Sequence, residues 1–500
     1  MAELLIFTIV AAAAGVYATL PEHRRLRIRY SLPSWYSQVV LFSTVAVLMF
    51  FLGNLYLETA KPQFSILCGG ICLPAQFWLE GTQVLLATAV VGIGVKRLLE
   101  PNPIIEDDTA LADQLRGLFS EQRFNILSLV ISDGYDKLVS SDTPKPGLES
   151  RAVTESVLTQ ERFLRNHTEI SITLAAQLLQ DEDCVIDRGD FALHYVKSLH
   201  QDRSSVLYHE VEVTGGGYGS YDFPASIRLL PALFDDCEVA REVRLWNPIR
   251  EGMQETLEEA RSQPEDPYAT RNDRLSLNRR EVQFRDPIYV GIRIFSIMIH
   301  KSLDQGVESH MFINYLAEIG EGICEQYTIS PDADRTEEFP NDYCYLLREL
   351  TDTLESIAET TTDTSSSVYM AIESPGPSPY EDTIKMGIWS LLRVHKAILL
   401  SDIPYRFKQD TTHSILETYF ELATAQTHPQ RSYFWALHTM ITTQVHQNPL
   451  DDQEQYEYLN EMLRHLRSYD RAKLMLGHKG TQYQRLIRDI ENSIFLRDVS

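Results

Sequence analysis

The sequence predicts a mainly α-helical protein, in which a three-helix transmembrane module precedes a large and mostly helical cytoplasmic region. The first observation is a set of three long apolar runs within the first hundred residues. The second is a spacing of three and four residues between apolar side chains over much of the remaining chain, which is typical of amphipathic helices. The third is one alternating segment near residues 205–213, which predicts a small β element.

The three apolar runs cover about residues 2–20, 37–57 and 75–95. A helix rises about 1.5 Å per residue, so each run is long enough to cross a hydrocarbon core of about 30 Å. A signal peptide is the competing interpretation of the first run. It is disfavoured because no basic residue precedes the run, whereas Arg24, Arg25, Arg27 and Arg29 follow it.

The basic residues also predict an orientation in the membrane. Short loops rich in arginine and lysine stay on the cytoplasmic side. The arginine-rich loop after the first run and Lys96-Arg97 after the third would both be inside. We therefore expect a multi-pass protein of the cell membrane (plasma or inner), with the N-terminus outside and the C-terminal region in the cytoplasm.

The charge of the chain limits the partners that it can bind. The 500 residues carry 45 basic and 70 acidic side chains, for a net charge of -25. The first hundred residues hold seven of the basic and five of the acidic ones, so the rest of the chain is strongly acidic. Because such a body repels phosphate backbones, its charge argues against general nucleic-acid binding. Only 11 of the basic residues are lysines, which suits a prokaryotic host.

Three other kinds of partner are expected. They are the lipid bilayer around the apolar runs, a protein partner bound by the cytoplasmic helices, and a second copy of the chain. The last is suggested by the small residues of the third run, which let membrane helices approach closely. These residues are Gly81, Ala87, Ala89, Gly92 and Gly94.

The sequence divides into three predicted regions. Residues 1–98 form the transmembrane module, residues 99–270 a mixed and mostly helical domain with the small β element, and residues 271–500 a helical domain. Ile288–Ile299 is nearly all apolar but short, so it predicts a buried core helix and not a fourth span. The Ser/Thr/Pro/Gly-rich stretch 360–380 predicts a mobile loop.

The six cysteines give no metal or cofactor site. Four of them are scattered singly, without the CxxC spacing of a zinc site, and we expect neither a metal nor a cofactor. Cys68 and Cys72 lie in the apolar, glycine-containing loop between the second and third runs. They predict a small disulfide on the oxidising side of the membrane, and the alternative is an interfacial or re-entrant segment.

Two polar residues near the start of the third run are candidate membrane-site residues. Glu80 and Gln83 lie about one turn inside the expected interface. An ionisable group at membrane depth is a functional candidate. A hydrated structural carboxylate is the alternative interpretation of Glu80.

The densest group of catalytic-type side chains lies between residues 184 and 221. His209-Glu210 is in the alternating segment, where adjacent side chains of a strand point to opposite faces. His209 on the apolar face is therefore interpreted as a hydrogen-bonded core histidine, and catalysis is the alternative. A glycine-rich loop follows, which is a flexible turn or a phosphate cradle without the lysine of a P-loop. Its glycines are Gly215, Gly216, Gly217 and Gly219.

Three functions are consistent with these patterns. The first is a membrane-anchored cytoplasmic interaction or sensor protein, because amphipathic helices abound and no catalytic motif is complete. The second is an oligomeric channel, pore or membrane-disrupting effector with a cytoplasmic control domain. The third is a membrane-tethered hydrolase that uses region 184–221. Because no catalytic motif is complete, the sequence favours a protein without catalytic activity over an enzyme.

Overall fold

The computed structural model is mainly helical, as the sequence predicts. It describes residues 15–31, 65–68, 71–74, 108–139, 148–166, 170–184, 186–214, 221, 223–262, 275–307, 312–328, 339–360, 383–424, 428–442, 452–469 and 478–499, with isolated positions between 11 and 93.

The first hundred residues correct the transmembrane prediction. Within the described part of the chain, no helix is long and apolar enough to cross a membrane. Most residues of the three predicted spans lie outside the described residues, as do Glu80 and Gln83. The length of an apolar run makes it a candidate span, and the helix that it forms must itself be long and apolar enough to cross the hydrocarbon core. The predicted transmembrane module and the predicted multi-pass membrane location with the N-terminus outside are therefore wrong.

What the structure does describe in this region are one helix and one hairpin. Helix α1 (Glu22–Ser31) contains the arginines that were expected in a loop. Strands β1 (Ser65–Cys68) and β2 (Ile71–Pro74) form an antiparallel pair. In its register Cys68 lies opposite Ile71 and Cys72 lies opposite Leu67. The two cysteines are not opposite each other, and their disulfide stays a prediction.

Residues 1–191 form one of two compact units. Its remaining helices are α2 (Asp108–Ser120), α3 (Phe124–Asp133), α4 (Tyr135–Leu138), α5 (Leu148–Leu158), α6 (Glu161–Leu164), α7 (Ile172–Gln180) and the beginning of α8 (Arg188–Gln201).

The core of this unit is built on the apolar face of α2. Its leucines Leu111, Leu115 and Leu118 are buried, at the spacing that the sequence shows, and α2 packs against α5 and α3. The apolar run that begins at Phe124 forms helix α3, in which Phe124, Leu127 and Ile131 are buried. The Phe124 ring meets the edge of Phe163, with 5.5 Å between ring centroids.

Residues 192–500 form the second unit, so the boundary falls inside α8. The predicted division into 1–98, 99–270 and 271–500 stays a prediction. The helices that follow α8 are α9 (Val206–Thr214), α10 (Leu229–Phe234), α11 (Cys237–Glu242), α12 (Trp246–Ser262), α13 (Arg280–Gln283), α14 (Pro287–Asp304), α15 (Ile313–Gln326), α16 (Asp342–Thr360), α17 (Thr383–Leu400), α18 (Tyr405–Thr424), α19 (His428–Thr442), α20 (Asp452–Arg467) and α21 (His478–Val499).

Helix α14 is the buried core helix that the apolar run predicts. The Asp286 carboxylate accepts hydrogen bonds from the backbone N–H groups of Ile288 (3.0 Å) and Tyr289 (2.9 Å), and Pro287 occupies the first turn. This combination of cap and proline begins a helix sharply. Helix α14 then packs against α12, α15 and α16, and almost all of its side chains are buried.

Helix α17 packs against several helices of the second unit. Among them are α15, α16, α19 and α20. A Cβ on its Gly387 would lie 2.8 Å from Ile357 Cγ2, so the glycine allows a close approach of α16. Farther along α17, the Arg393 guanidinium binds both carboxylate oxygens of Glu321 on α15, with 2.9 Å between Nε and Oε1.

The small β element near residues 205–213 is wrong. This segment is helix α9, which buries Leu207, Tyr208, Glu210 and Val211. The buried positions follow helical spacing because α9 packs against α10 and α14. Its β-branched residues alternate over a short stretch, and tertiary packing overrides that local preference.

Candidate functional site

Glu210 is a structural residue of helix α9. Its side chain is buried, with 3% of the residue exposed. One carboxylate oxygen accepts hydrogen bonds from the backbone N–H groups of Arg228 and Leu229, both at 3.0 Å. The other accepts from Leu229 at 2.9 Å and from Leu230 at 2.8 Å. A carboxylate at the N-terminus of a helix satisfies amide groups that lack partners within the helix, so Glu210 caps α10.

His209 lies apart from this cap. The helix turns it to the exposed side of α9 while Glu210 is buried, so the two side chains do not line one site. The interpretation of His209 as a core histidine is therefore wrong. The glycines at 215, 216, 217 and 219 lie outside the described residues, and their role as a turn or cradle stays a prediction.

The polar residues upstream are also engaged in local structure. The Asp187 carboxylate accepts from the backbone N–H groups of Gly189 (2.8 Å) and Asp190 (3.2 Å) at the start of α8. The Cys184 thiol donates to the Ile186 carbonyl at 3.2 Å, and burial raises the pKa of that thiol. A raised pKa lowers the thiolate fraction, so Cys184 lacks the activation of a nucleophile.

Four histidines in the second unit are buried and neutral. Burial lowers the pKa of His200, His300 and His465 to about 4 and that of His395 to about 3. His395 bonds to the hydroxyl groups of Tyr458 (3.2 Å) and Thr412 (2.9 Å). No group of three or more His, Cys, Asp or Glu side chains among the described residues could hold a metal ion.

A surface formed by α19 and α21 has the properties of a binding site. The Trp435 side chain on α19 is 43% exposed, although tryptophan is usually covered. The Arg485 guanidinium on α21 lies over its indole, 4.5 Å from the ring centroid, and the Arg485 side chain is 46% exposed. We refer to Trp435, Arg485 and the adjoining Asp489 as the α19–α21 face.

A chain of polar contacts links this face to the buried Tyr419. The Arg485 Nε lies 3.6 Å from Asp489 Oδ2, and the same oxygen is 3.1 Å from His438 Nε2. His438 Nδ1 is 2.9 Å from the buried Tyr419 hydroxyl. The Trp435 and His438 rings meet edge-on, with 5.6 Å between their centroids. Trp435, Arg485, Asp489 and His438 therefore form a closed ring of contacts. Burial lowers the pKa of His438.

The local charge of the two helices differs from that of the chain. Helices α19 and α21 together contain five Lys and Arg residues and three Asp and Glu residues. The whole chain has a net charge of -25. The α19–α21 face therefore belongs to a locally basic pair of helices in an acidic protein.

Sequence reasoning missed this face. His438 attracts attention in the sequence through its spacing of eight from His446, which suggests a metal pair without a third ligand. His446 lies outside the described residues. Trp435 and Arg485 are 50 positions apart in the sequence, and only the packing of α19 on α21 brings them together. The available signal was the lack of acidic residues in α19, which holds Arg431 and no carboxylate.

Comparison with protein-family models, with curated proteins and with solved structures finds no match to this chain.

Proposed function

We propose that this protein is an interaction protein that binds an acidic segment of a partner protein at the α19–α21 face. The observation that carries the proposal is the exposed Trp435 with the Arg485 guanidinium stacked on it at 4.5 Å. Tryptophan and arginine dominate the binding energy of protein interfaces, because they combine a large contact area with directed hydrogen bonds.

Charge complementarity identifies the kind of partner. The strongly acidic chain repels an acidic ligand at long range, and the locally basic α19 and α21 attract it at short range. Arg485 presents a guanidinium that can bind a carboxylate through two hydrogen bonds. The indole of Trp435 offers an apolar surface for the neighbouring side chain of the same ligand.

The positions and contacts of the catalytic-type residues Glu210 and His209 argue against the hydrolase alternative. The Glu210 carboxylate is fully used as the cap of α10. His209 lies on the exposed side of α9, without Glu210 beside it. A general base must reach the proton that it abstracts, and this pair presents no such geometry.

Site-specific photo-crosslinking tests the proposal. The full-length protein would carry a benzophenone amino acid at position 435, or at position 405 as a matched control. Tyr405 is 47% exposed and also stacks with an arginine, Arg464, at 5.5 Å. However, its helices α18 and α20 hold four basic and seven acidic residues.

We expect position 435 to crosslink an acidic segment of a partner, and position 405 to give no such product. Arg485→Glu should abolish the product, and reversing the charge of the captured segment should restore it. A product that forms equally at both positions, or that survives Arg485→Glu, contradicts the proposal. A captured segment from a second copy of this chain would identify the partner as the protein itself.

A further inference from the structure

The ring of contacts beneath the α19–α21 face links a histidine to the binding arginine. Asp489 is shared, since its Oδ2 lies 3.1 Å from His438 Nε2 and 3.6 Å from Arg485 Nε. His438 is almost fully covered, with 7% of its side chain exposed, whereas 34% of the Asp489 side chain is exposed. The histidine therefore acts on the surface only through Asp489 and through the Trp435 ring.

We infer that His438 is a positioning residue that makes binding of an acidic ligand at the α19–α21 face tighten as the pH falls. This inference rests on the proposed function and adds its regulation. In its neutral form His438 donates from Nε2 to Asp489 and accepts at Nδ1 from the Tyr419 hydroxyl. These contacts hold Asp489 beside Arg485 and fix the guanidinium over the indole.

Protonation of His438 changes the charge of the cluster without breaking the contacts among Trp435, Arg485, Asp489 and His438. The proton enters at Nδ1, and the Tyr419 hydroxyl can rotate so that its oxygen accepts the new N–H. The cluster of Arg485, Asp489 and His438 then has a net charge of +1 in place of zero. The charged imidazole also draws the Asp489 carboxylate to itself, which leaves Arg485 free for a ligand carboxylate.

The groups that face His438 are consistent with this direction. They are Trp435 on its own helix, Tyr419 on α18, and Asp489 and Arg485 on α21. Burial and the charge of Arg485 lower the pKa of His438, while the charge of Asp489 raises it. An acidic ligand adds negative charge near the imidazole, so by linkage its binding is stronger to the protonated form.

A defined acidic probe tests the inference on the full-length chain. Fluorescence anisotropy would follow the binding of a fluorescein-labelled peptide of eight glutamates to the wild type, to His438→Gln and to Trp435→Ala. We expect the wild type to bind about threefold to tenfold more tightly as the pH falls below about 6.5, the ordinary histidine value, because burial lowers the pKa of His438. His438→Gln, which keeps a neutral donor and acceptor, should lose most of that change.

The outcomes separate the inference from the proposed function. If Trp435→Ala weakens binding but the wild type shows no dependence on pH, the role of His438 is overturned. Binding at the α19–α21 face is then still supported. If Trp435→Ala binds like the wild type, the proposed function itself fails. If His438→Gln keeps the full pH response, other groups cause it and His438 has no such role.

A second variant covers the case in which His438→Gln does not fold. Asp489→Asn keeps an acceptor for His438 but removes the negative charge that favours the imidazolium. We expect this variant to shift the pH response of binding to lower pH. A response at the wild-type pH in Asp489→Asn contradicts the inference.

Discussion

Glu210 shows at the scale of one residue how a side chain with catalytic chemistry can serve the fold. Its carboxylate accepts from three consecutive backbone amides, and the acceptor sites of both oxygens are used. His200 is similarly confined, because its Nε2 lies 2.9 Å from the Pro287 carbonyl and the ring is fully buried. We therefore expect substitutions that disturb either side chain to lower the stability of the second unit.

Replacing Glu210 by glutamine should destabilise the second unit by about 1–3 kcal/mol, because an amide NH₂ would face backbone N–H donors that then lose their acceptor. His209→Gln is the matched control, since His209 is exposed and its replacement should change stability by less than about 0.5 kcal/mol. Urea denaturation followed by tryptophan fluorescence measures both. Equal stabilities for the two variants would contradict the role of Glu210 as a cap.

Gly252 on α12 is required by the position of His200. A Cβ on this glycine would lie 2.2 Å from His200 Nδ1. Gly252→Ala should therefore cost about 1–3 kcal/mol through overpacking. In Gly322→Ala, the nearest atom to the new Cβ is Leu257 Cδ1 at an ordinary 3.4 Å, so we expect no loss. A Gly252→Ala protein as stable as the Gly322→Ala protein in urea would show that His200 is not packed there.

Some helices begin at capping residues that can be recognised in the sequence. Asp286-Pro287 is visible in the sequence as the beginning of a core helix, and α14 begins there. Helices α15 and α16 carry apolar residues at helical spacing over enough length to predict a helix from the sequence. Segment 205–213 was too short for this distinction, and its partners α10 and α14 determine that it is helical.

Asp286→Ala should destabilise the second unit by about 1–2 kcal/mol, since a buried carboxylate then no longer accepts the first amides of α14. Asp236 caps the short helix α11 by accepting from Glu238 N at 2.9 Å, but it is exposed. Asp236→Ala should cost less than half as much as Asp286→Ala, because water replaces the lost contact. A larger loss for Asp236→Ala in urea denaturation would refute the central place of α14.

Across the whole molecule, the sequence predicts the helical class well and the α19–α21 face poorly. Helical stripes are local and leave a pattern in the sequence, whereas the stacking of Arg485 on Trp435 depends on how two distant helices pack. The apolar runs of the first hundred residues predicted membrane spans, yet no described helix is long and apolar enough for one. Composition alone does not specify the helix that such a run forms.

Buried neutral histidines make the second unit sensitive to acid. The pKa values of His200, His300 and His465 are about 4, below the ordinary value of about 6.5 that applies in the unfolded chain. The unfolded state therefore takes up protons first, so stability is full above about pH 6.5 and falls as the pH drops toward about 4. Each such histidine contributes a loss of about 3 kcal/mol by about pH 4.5.

Urea midpoints between about pH 7.5 and about pH 4.5 measure this dependence. We expect the midpoint to decrease with acidity, and His395→Gln to reduce the slope because one buried histidine no longer titrates. His209→Gln, at an exposed site, should keep the wild-type slope. A midpoint that stays constant or rises as the pH falls below about 6.5 would show that these histidines are not buried as neutral groups.

Reversing the charge of Arg485 tests whether an acidic ligand binds at Trp435 and Arg485. The segment captured at position 435 would be synthesised as a peptide, and its affinity measured by calorimetry for the full-length wild type, Arg485→Glu and Arg464→Glu. Arg464 is the matched control, since it also stacks on an exposed aromatic ring. We expect Arg485→Glu to weaken binding by at least about tenfold and Arg464→Glu to leave it unchanged. Equal affinities for the two variants would contradict the claim that this face binds the partner.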